Sequence, residues 1–408
     1  MVVSITERVV KAMFDIGLSE FEVTERTVNA DNDYIYHANI KNAPTVCPAC
    51  NSNHIVIHKK HDRMIRDLNE YEHRVGIIIH GRRYQCKDCG NTFSDELNCV
   101  DKSGRLTKRL IAHIQQECFE KTFKIIAEEY GISQPSIRRL FDDYVEDLSA
   151  AYSLDAPQVL GIDEVHLHSQ YRGVFVDVLG QRVIEMTETR SKPVVKKFLS
   201  SIPHKENIQC VTMDMWQPYK DAVNEVLPNV PIVIDKFHVI KELNNALESI
   251  RKTLRKDMEK ESRVSLKNMR FLFLTGAENL SPRQSKQLND LLDEYPQFKT
   301  PYFLKEAFRD MYQFAKTREE AEDIYSRWVA ANIEEGCTAY DGFMTTVSHW
   351  YNEIFNYFDN RYTNAQTESL NNVIREIDRA GRGYTFPVLR AKVLFRHITA
   401  NKKSKFSF

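Results

Sequence analysis

The 408-residue sequence predicts a multidomain α/β protein. Its expected core is a mixed sheet of RNase H-like order, interrupted by an all-helical insertion and preceded by a zinc-ribbon-like β module and a helix-turn-helix. Three observations carry this prediction. The first is a run of short apolar segments that end in carboxylates, starting with VLGIDE at 159–164. The second is a pair of Cys-x-x-Cys motifs upstream of it. The third is an almost wholly helical periodicity from about residue 239 to 350. These place a zinc-binding module at 1–100, a helix-turn-helix at 101–150 and the first part of the core at 155–238. The insertion then occupies 239–350, and the rest of the core with a basic tail occupies 351–408.

The core justifies itself element by element. After VLGIDE come two β-like runs, YRGVFVDVL (171–179) and QRVIEMTE (181–188), with Gly180 as the turn signal between them. Sequential strands on short connections form an antiparallel meander. A helix-like segment (193–201), a buried-strand run IQCVTMD (208–214), a second helix (218–226) and a third apolar run ending at Asp235 complete a βββαβαβ series. Asp163 and Asp214 stand at the carboxyl ends of two strands, where open sheets with crossover helices gather their sites. Taken singly, each aspartate also fits a cap or loop residue; the pair in this order points to a shared site. Glu164, next to Asp163, points to the opposite side of its strand and falls outside such a site. His238 follows the third run by three residues, in DKFH, which puts it on the same rim as the two aspartates.

Upstream, Cys47 and Cys50 (CPAC) and Cys86 and Cys89 (CKDCG) form two knuckles. A two-residue gap lets both thiolates of a pair turn onto one cation, and four thiolates make a closed, structural Zn²⁺ site. The gap between knuckles is longer than the roughly 15–20 residues common in such modules. The β-like stretches 63–68 and 73–84 fill it. Cys99, Cys118, Cys210 and Cys337 lack ligand spacing and read as buried thiols. His54, His58 and His61 read as surface or phosphate contacts. The first 30 residues read as a short amphipathic helix and a strand, with Phe14, Ile16 and Leu18 as packing residues.

Residues 105–148 read as three helices, at 106–118, 121–130 and 134–148. A glycine turn precedes the third, and Pro135 lies in its first turn, a helix-turn-helix pattern. Ala127, Ile132, Ile137 and Leu140 would form its small core. Gln134, Ser136, Arg138 and Arg139 stay on the side that would enter a DNA major groove. The net charge of −1 is uninformative, but its distribution is not. Residues 41–140 hold 17 Lys/Arg against 12 Asp/Glu, and residues 360–408 hold 10 against 3, a distribution that suits nucleic acid. No apolar run approaches a membrane span, and the start of the chain lacks a signal-peptide pattern. The expectation is a cytoplasmic protein, in bacteria nucleoid-associated when bound to DNA, with no membrane partner.

A helix from about Thr363 carries TNAQTESLNNVIREI. Glu368, Asn371, Asn372 and Arg375 fall at i, i+3, i+4 and i+7 and form one polar stripe, with Leu370, Val373 and Ile377 opposite. Such a stripe makes sense facing metal and phosphate; a solvated face is the simpler alternative.

In this order, the cysteine knuckles, the helix-turn-helix, GIDE, VTMDMWQPYKDAVNEVLPNVPIVIDKFHVIKELNNAL and TNAQTESLNNVIREI resemble the bacterial insertion-sequence transposases of the ISL3 family across nearly the whole chain. The resemblance implies a DDE transposase with an RNase H-like core, in which Asp163, Asp214 and Glu368 hold two catalytic Mg²⁺ (or Mn²⁺). It implies double-stranded DNA as partner, both the element's terminal inverted repeats and target DNA, bound by a homodimer or higher oligomer. Related transposases with a helical insertion carry Cys/Asp-x-x-His after the second aspartate, and Asp235 with His238 matches this. With Asn371, Asn372 and Arg375 they would support the active site. A Tyr-Arg-Glu-Lys signature of another group is met only in part. Arg375 takes its lysine position, but Asn364 stands at its arginine and is assigned no contact. Two other readings fit fewer of these features: a DNA-binding regulator derived from a transposase, and an RNase H-fold nuclease.

Overall fold

A computed structural model describes residues 15–404 apart from 258–263, 265–266 and 268. The helix expected at the start of the chain, with Phe14, lies outside the described residues. The chain divides into two compact units. One holds the residues up to Tyr152 together with those from Phe395 onward; the other is Ser153–Leu394.

In the first unit, β1 (Phe21–Val28), β2 (Tyr34–Ile40), β3 (Ile55–Glu70), β4 (His73–Cys86) and β5 (Thr92–Ser94) form a mixed sheet. Its order is β1-β2-β4-β3, with β5 also on β4. In β4, Val75, Ile77 and Ile79 alternate inward onto Phe21, Tyr36, Ala38, Ile65 and Val100. The period-two pattern of HRVGIIIHGRRY thus buries one face of the sheet. Strand β3 is much longer than the 63–68 expected. β3 and β4 form one long hairpin whose register pairs Ile55 with Cys86.

Three helices follow: α1 (Lys108–Glu117), α2 (Phe123–Tyr130) and α3 (Gln134–Ala151). Thr107 and Thr122 cap the first two by accepting from the N–H of Leu110 and Ile125. Gly131, at φ +62°, ends α2 in the left-handed conformation that glycine adopts without strain. The core of the three helices is larger than the sequence suggested. Leu110, Ile114, Phe119, Phe123, Ile126, Ile137 and Phe141 are buried, whereas Ala127 and Leu140 are only half-buried. The turn end of the β3/β4 hairpin is tied to α1 and α2. Buried Asp67 accepts from Thr107 Oγ1 (2.6 Å) and Arg109 Nε (2.8 Å), and Asn69 Nδ2 donates to Glu129 O (3.0 Å).

The second unit is built on a five-stranded sheet: β6 (Val159–Leu167), β7 (Gln170–Asp177), β8 (Arg182–Thr187), β9 (Cys210–Met213) and β10 (Ile232–Ile234). The order is β10-β9-β6-β7-β8. β6, β7 and β8 form the antiparallel meander, and β9 and β10 add in parallel through the crossovers α4 (Lys192–Ser201) and α5 (Gln217–Val226). β9 and β10 are buried along their whole length, as strands covered on both faces must be.

From Asp235 the chain turns helical: α6 (Lys236–Leu254), α7 (Arg270–Leu274), α8 (Pro282–Glu294), α9 (Lys299–Phe314), α10 (Arg318–Glu334), α11 (Asp341–His349) and α12 (Tyr351–Asn360). Phe308, Met311, Trp328, Phe343 and Val347 of this stretch join the sheet's Val211, Val233 and Ile234 in one hydrophobic core. A second, smaller core gathers Leu272, Phe273, Leu288, Leu291, Tyr295 and Phe298. The chain then returns to the sheet as α13 (Ala365–Gly381). The basic segment after it is also helical, α14 (Phe386–Ser404), where the sequence suggested a tail.

Candidate active site

The parallel register aligns three aspartates. Ile162 pairs with Met213, and Met213 with Ile234. Asp163, Asp214 and Asp235 each follow these by one residue, so they stand side by side at the carboxyl end of the parallel register. Neighbouring strands are about 4.8 Å apart, which brings the carboxylates close enough to repel. Burial, and after it the Asp214 charge, push the Asp163 carboxyl up to about 7. Two donors hold that side chain in place: Glu164 N–H reaches Oδ1 (2.7 Å) and Asn371 Nδ2 reaches Oδ2 (2.7 Å).

Asp235 caps α6, accepting from Phe237 N–H at 3.3 Å. The cap starts the helix so that His238 Nδ1 lies 2.9 Å from Asp214 Oδ1 and 3.8 Å from Asp235 Oδ2. Burial pulls the imidazole down, but the two aspartates outweigh it and raise the group to about 10. The 2.9 Å approach lacks hydrogen-bond geometry, so Asp214 Oδ1 and His238 Nδ1 are both buried without a hydrogen bond.

Glu368 reaches the same place from α13. Asp163, Asp214, Asp235, His238, Asn364, Glu368 and Arg375 all line one pocket of about 320 Å³. The polar stripe of α13 is divided rather than uniform. Asn371 is buried against Asp163, Glu368 and Asn372 are exposed, and Arg375 donates to Asn372 Oδ1 at 2.8 Å. The buried side of the helix is Thr367, Asn371, Ile374 and Asp378.

Sequence reasoning gave Asn364 and Gly161 no part in the site, yet they seat α13. Asn364 Oδ1 accepts from Thr367 Oγ1 (2.6 Å) and from Thr212 Oγ1 of β9 (3.1 Å). Gly161 lets the helix come this close. A Cβ there would lie 3.0 Å from Asn364 Oδ1 and 3.1 Å from Thr367 Oγ1. Glu164 also lines this pocket, contrary to the expectation that it points away from the site; its Oε2 accepts from Tyr219 OH (3.3 Å) and its carboxylate pairs with Arg190.

The cysteines form a second centre, in the other unit. The Sγ atoms of Cys47, Cys50, Cys86 and Cys89 lie within 4.8 Å of one another, with 3.7 Å between Cys47 and Cys89 and 3.6 Å between Cys50 and Cys86. Four thiolates at about 2.3 Å around a tetrahedral Zn²⁺ would stand about 3.8 Å apart, so the donors fit that ion. Asn51 (φ +60°) and Gly90 (φ +74°) close the knuckles, donating to the carbonyls of Cys47 (2.9 Å) and Cys86 (3.0 Å). Backbone N–H groups of Cys89 and Asp88 draw the Cys86 thiol down to about 6, towards the thiolate a metal needs. The long gap between knuckles is the β3/β4 hairpin itself, which leaves the first knuckle and returns to it. Among the described residues, the quartet alone brings three or more such ligand atoms this close.

Residues 160–393, more than half of the chain, match the family model of the ISL3-type DDE transposase domain. The chain belongs to the ISL3 family of transposases. Two further models match this transposase upstream. Residues 43–89 match the zinc finger of the transposases of IS204, IS1001, IS1096 and IS1165, and residues 96–145 match the helix-turn-helix domain of transposase family ISL3. The chain is 24% identical over 348 residues to the transposase of insertion sequence element IS1001 from Bordetella parapertussis, covering 83% of this chain and 85% of that one. It is 23% identical over 255 residues to the transposase of IS1557 from Mycobacterium tuberculosis, covering 56% and 57%. A DDE transposase is a DNA-cleaving enzyme, and its helix-turn-helix is a DNA-binding domain. In that domain of this transposase Gln134 and Arg139 are exposed. Ser136 and Arg138 are half-buried, Ser136 sharing a hydrogen bond with Ser133 (2.9 Å) and Arg138 holding Asp142 (2.8 Å). Among the described residues no helix is long and apolar enough to cross a membrane.

Proposed function

We propose that this transposase binds the terminal inverted repeats of its own insertion sequence through the zinc module and α3. It then cleaves the element ends and joins them to target DNA at one site, made by Asp163, Asp214 and Glu368. The observation that supports this most is the convergence of Asp163, Asp214 and Glu368, from β6, the end of β9 and α13, on one pocket that Glu164 and Asp235 also line. The sheet order, three parallel strands continued by an antiparallel meander, agrees with an RNase H-like core. In this reading residues 239–350 are an insertion into that core, between 155–238 and 351–408, with DNA-binding modules at 1–100 and 101–150.

The three carboxylates would hold Mg²⁺ or Mn²⁺, which supplies activation of the attacking oxygen and stabilisation of the leaving one. The chain's own residues set the geometry. Glu164 N–H and Asn371 fix the Asp163 carboxylate, while His238 lies against Asp214 and Asp235. Water first displaces the flanking strand and leaves a 3′-hydroxyl on the element end. That hydroxyl then attacks a phosphodiester of the target. Each step exchanges one P–O bond for another, and no covalent protein–DNA intermediate is needed. Pairing two ends calls for a homodimer or higher oligomer, at work on DNA in the bacterial cytoplasm.

The test is cleavage and joining of a labelled terminal repeat in Mg²⁺ by the wild type and by Asp163→Asn, Asp214→Asn and Glu368→Gln. Each variant should keep end binding and lose both reactions. Full activity in Asp163→Asn would defeat the assignment.

A further inference from the structure

The carboxylate pocket has an aromatic rim that the chemistry above does not use. Tyr171 and Phe237 line the pocket with 45% and 53% of their surface exposed, and Trp216, two residues beyond Asp214, is 38% exposed. Exposed rings gathered at one place mark a binding surface rather than ordinary scatter. They are also braced. The Arg190 guanidinium lies over both Tyr171 (4.0 Å) and Trp216 (4.2 Å). Glu164, itself held by Tyr219 OH, pairs with Arg190, and His166 packs on Tyr171 with ring centroids 4.7 Å apart. His166, Tyr171, Arg190 and Trp216 therefore form a contiguous cluster that ends in an exposed indole. The backbone N–H of Trp216 donates to Asp214 O at 2.7 Å, which roots that indole beside the pocket.

A paired, stacked duplex offers phosphates and base edges to its surroundings, not base faces. An aromatic face beside a phosphodiester-cleaving pocket matches a base that has left the stack. We propose that Trp216 is the platform for one nucleobase that unstacks from the DNA next to the scissile phosphate. Tyr171 and Arg190 pre-orient the ring, so little freedom is lost when the base lands, and Phe237 contributes to the same rim. Glu164 acts here as a positioning residue through Arg190. The inference rests on the reading of Asp163, Asp214 and Glu368 as the reacting site.

The full chain tests this with a duplex carrying the element's end, either fully paired or mismatched at the base pair adjoining the cleavage point. Of the three tryptophans, Trp328 and Trp350 are buried, so quenching of emission by end DNA in Ca²⁺ reports Trp216. The wild type should show quenching, deeper with the mismatched duplex. In Mg²⁺, Trp216→Ala and Trp216→Leu should bind ends normally but cut the paired duplex roughly 10- to 100-fold more slowly. The mismatch, which is cheaper to unstack, should restore most of that rate, and Trp216→Phe should retain most activity. Unchanged cleavage of paired DNA by both variants, a loss that the mismatch does not relieve, or wild-type emission indifferent to end DNA would each overturn the proposal. Asp163→Asn separates the two readings, because it should abolish cleavage of both duplexes while leaving the quenching intact. Cleavage by that variant would sink the triad and leave the base platform to be judged on emission alone.

Discussion

Gly161→Ala should damage the proposed active site without touching any carboxylate. The added methyl would lie 3.0 Å from Asn364 Oδ1, 3.1 Å from Thr367 Oγ1 and 3.1 Å from Val178 Cγ2. Ordinary contacts begin near 3.4 Å, so all three neighbours must give by a few tenths of an ångström. Two of them belong to the start of α13, and Asn364 is buried and bonded to both Thr212 and Thr367. Overpacking of this kind costs about 1–3 kcal/mol. Weakening the two hydrogen bonds to Asn364 adds about 0.5–1.5 kcal/mol each. Urea unfolding should therefore register a loss of about 2–6 kcal/mol. The helix relieves the clash by lifting from β6, and Glu368 and Asn371 ride on it. Misplacing a reacting group by about 1 Å costs up to roughly 10²-fold in rate, so a shift of half that should slow single-turnover cleavage about tenfold. Thr367→Ala removes one clashing oxygen and should recover part of both losses in the double variant. Wild-type stability and cleavage in Gly161→Ala would refute the idea that this glycine sets the seat of α13.

Three further outcomes are expected. Purified protein should contain about one Zn²⁺ per chain, lost in Cys86→Ser/Cys89→Ser together with protease resistance of the knuckles; a zinc-free protein with an intact hairpin would exclude the metal. Asp163→Asn should be tolerated structurally, because Asn371 Oδ1 is buried without a partner and a flip of that amide lets it accept from the new side-chain N–H₂; a thermal midpoint several degrees below wild type would contradict this. Arg139→Ala should weaken end binding by about 1–3 kcal/mol if the side chain reads a base, and more than Arg138→Ala, since Asp142 already engages Arg138; binding to ends should also fall steeply with salt, and equal affinity for ends and random DNA would argue against α3 as the reader.

Several of these features were legible in the sequence for identifiable reasons. Short apolar runs ending in aspartate announce parallel strands by their uniform hydrophobicity, and two-residue cysteine gaps announce a knuckle because few other arrangements use them. The length of β3 was not legible. Its middle, HKKHDRM, is polar and lies at the edge of the sheet, where no buried face imposes alternation. The core of the three helices was underestimated because Phe119 and Phe141 lie outside the short turn that defines the motif. On α13, spacing alone put Glu368 and Asn371 on one stripe but could not say that one would be buried against Asp163 and the other exposed. That distinction depends on the strand beneath. The aromatic cluster joins residues from four elements or their flanks, and no periodicity links Tyr171, Arg190 and Trp216. The role of Gly161 is equally silent in one dimension, since a glycine before IDE reads as a strand residue until a helix is laid across it.

The β3/β4 hairpin also works as a ruler. Its turn end is fastened to α1 and α2 through Asp67 and Asn69, and its open end carries the cysteine knuckles. From Asp67 back to Ile55 is twelve residue steps of strand, about 40 Å at the usual rise. One turn of B-DNA is about 34–36 Å. If α3 meets DNA close to the turn end that α1 and α2 hold, it and the zinc knuckle would contact the double helix a little more than one turn from each other. An element end read by both should show two protected patches with that spacing. Because a strand can gain or lose residues in pairs without turning its inward face outward, the distance between patches can change in evolution by lengthening the ribbon alone, leaving both the metal and the helix as they are.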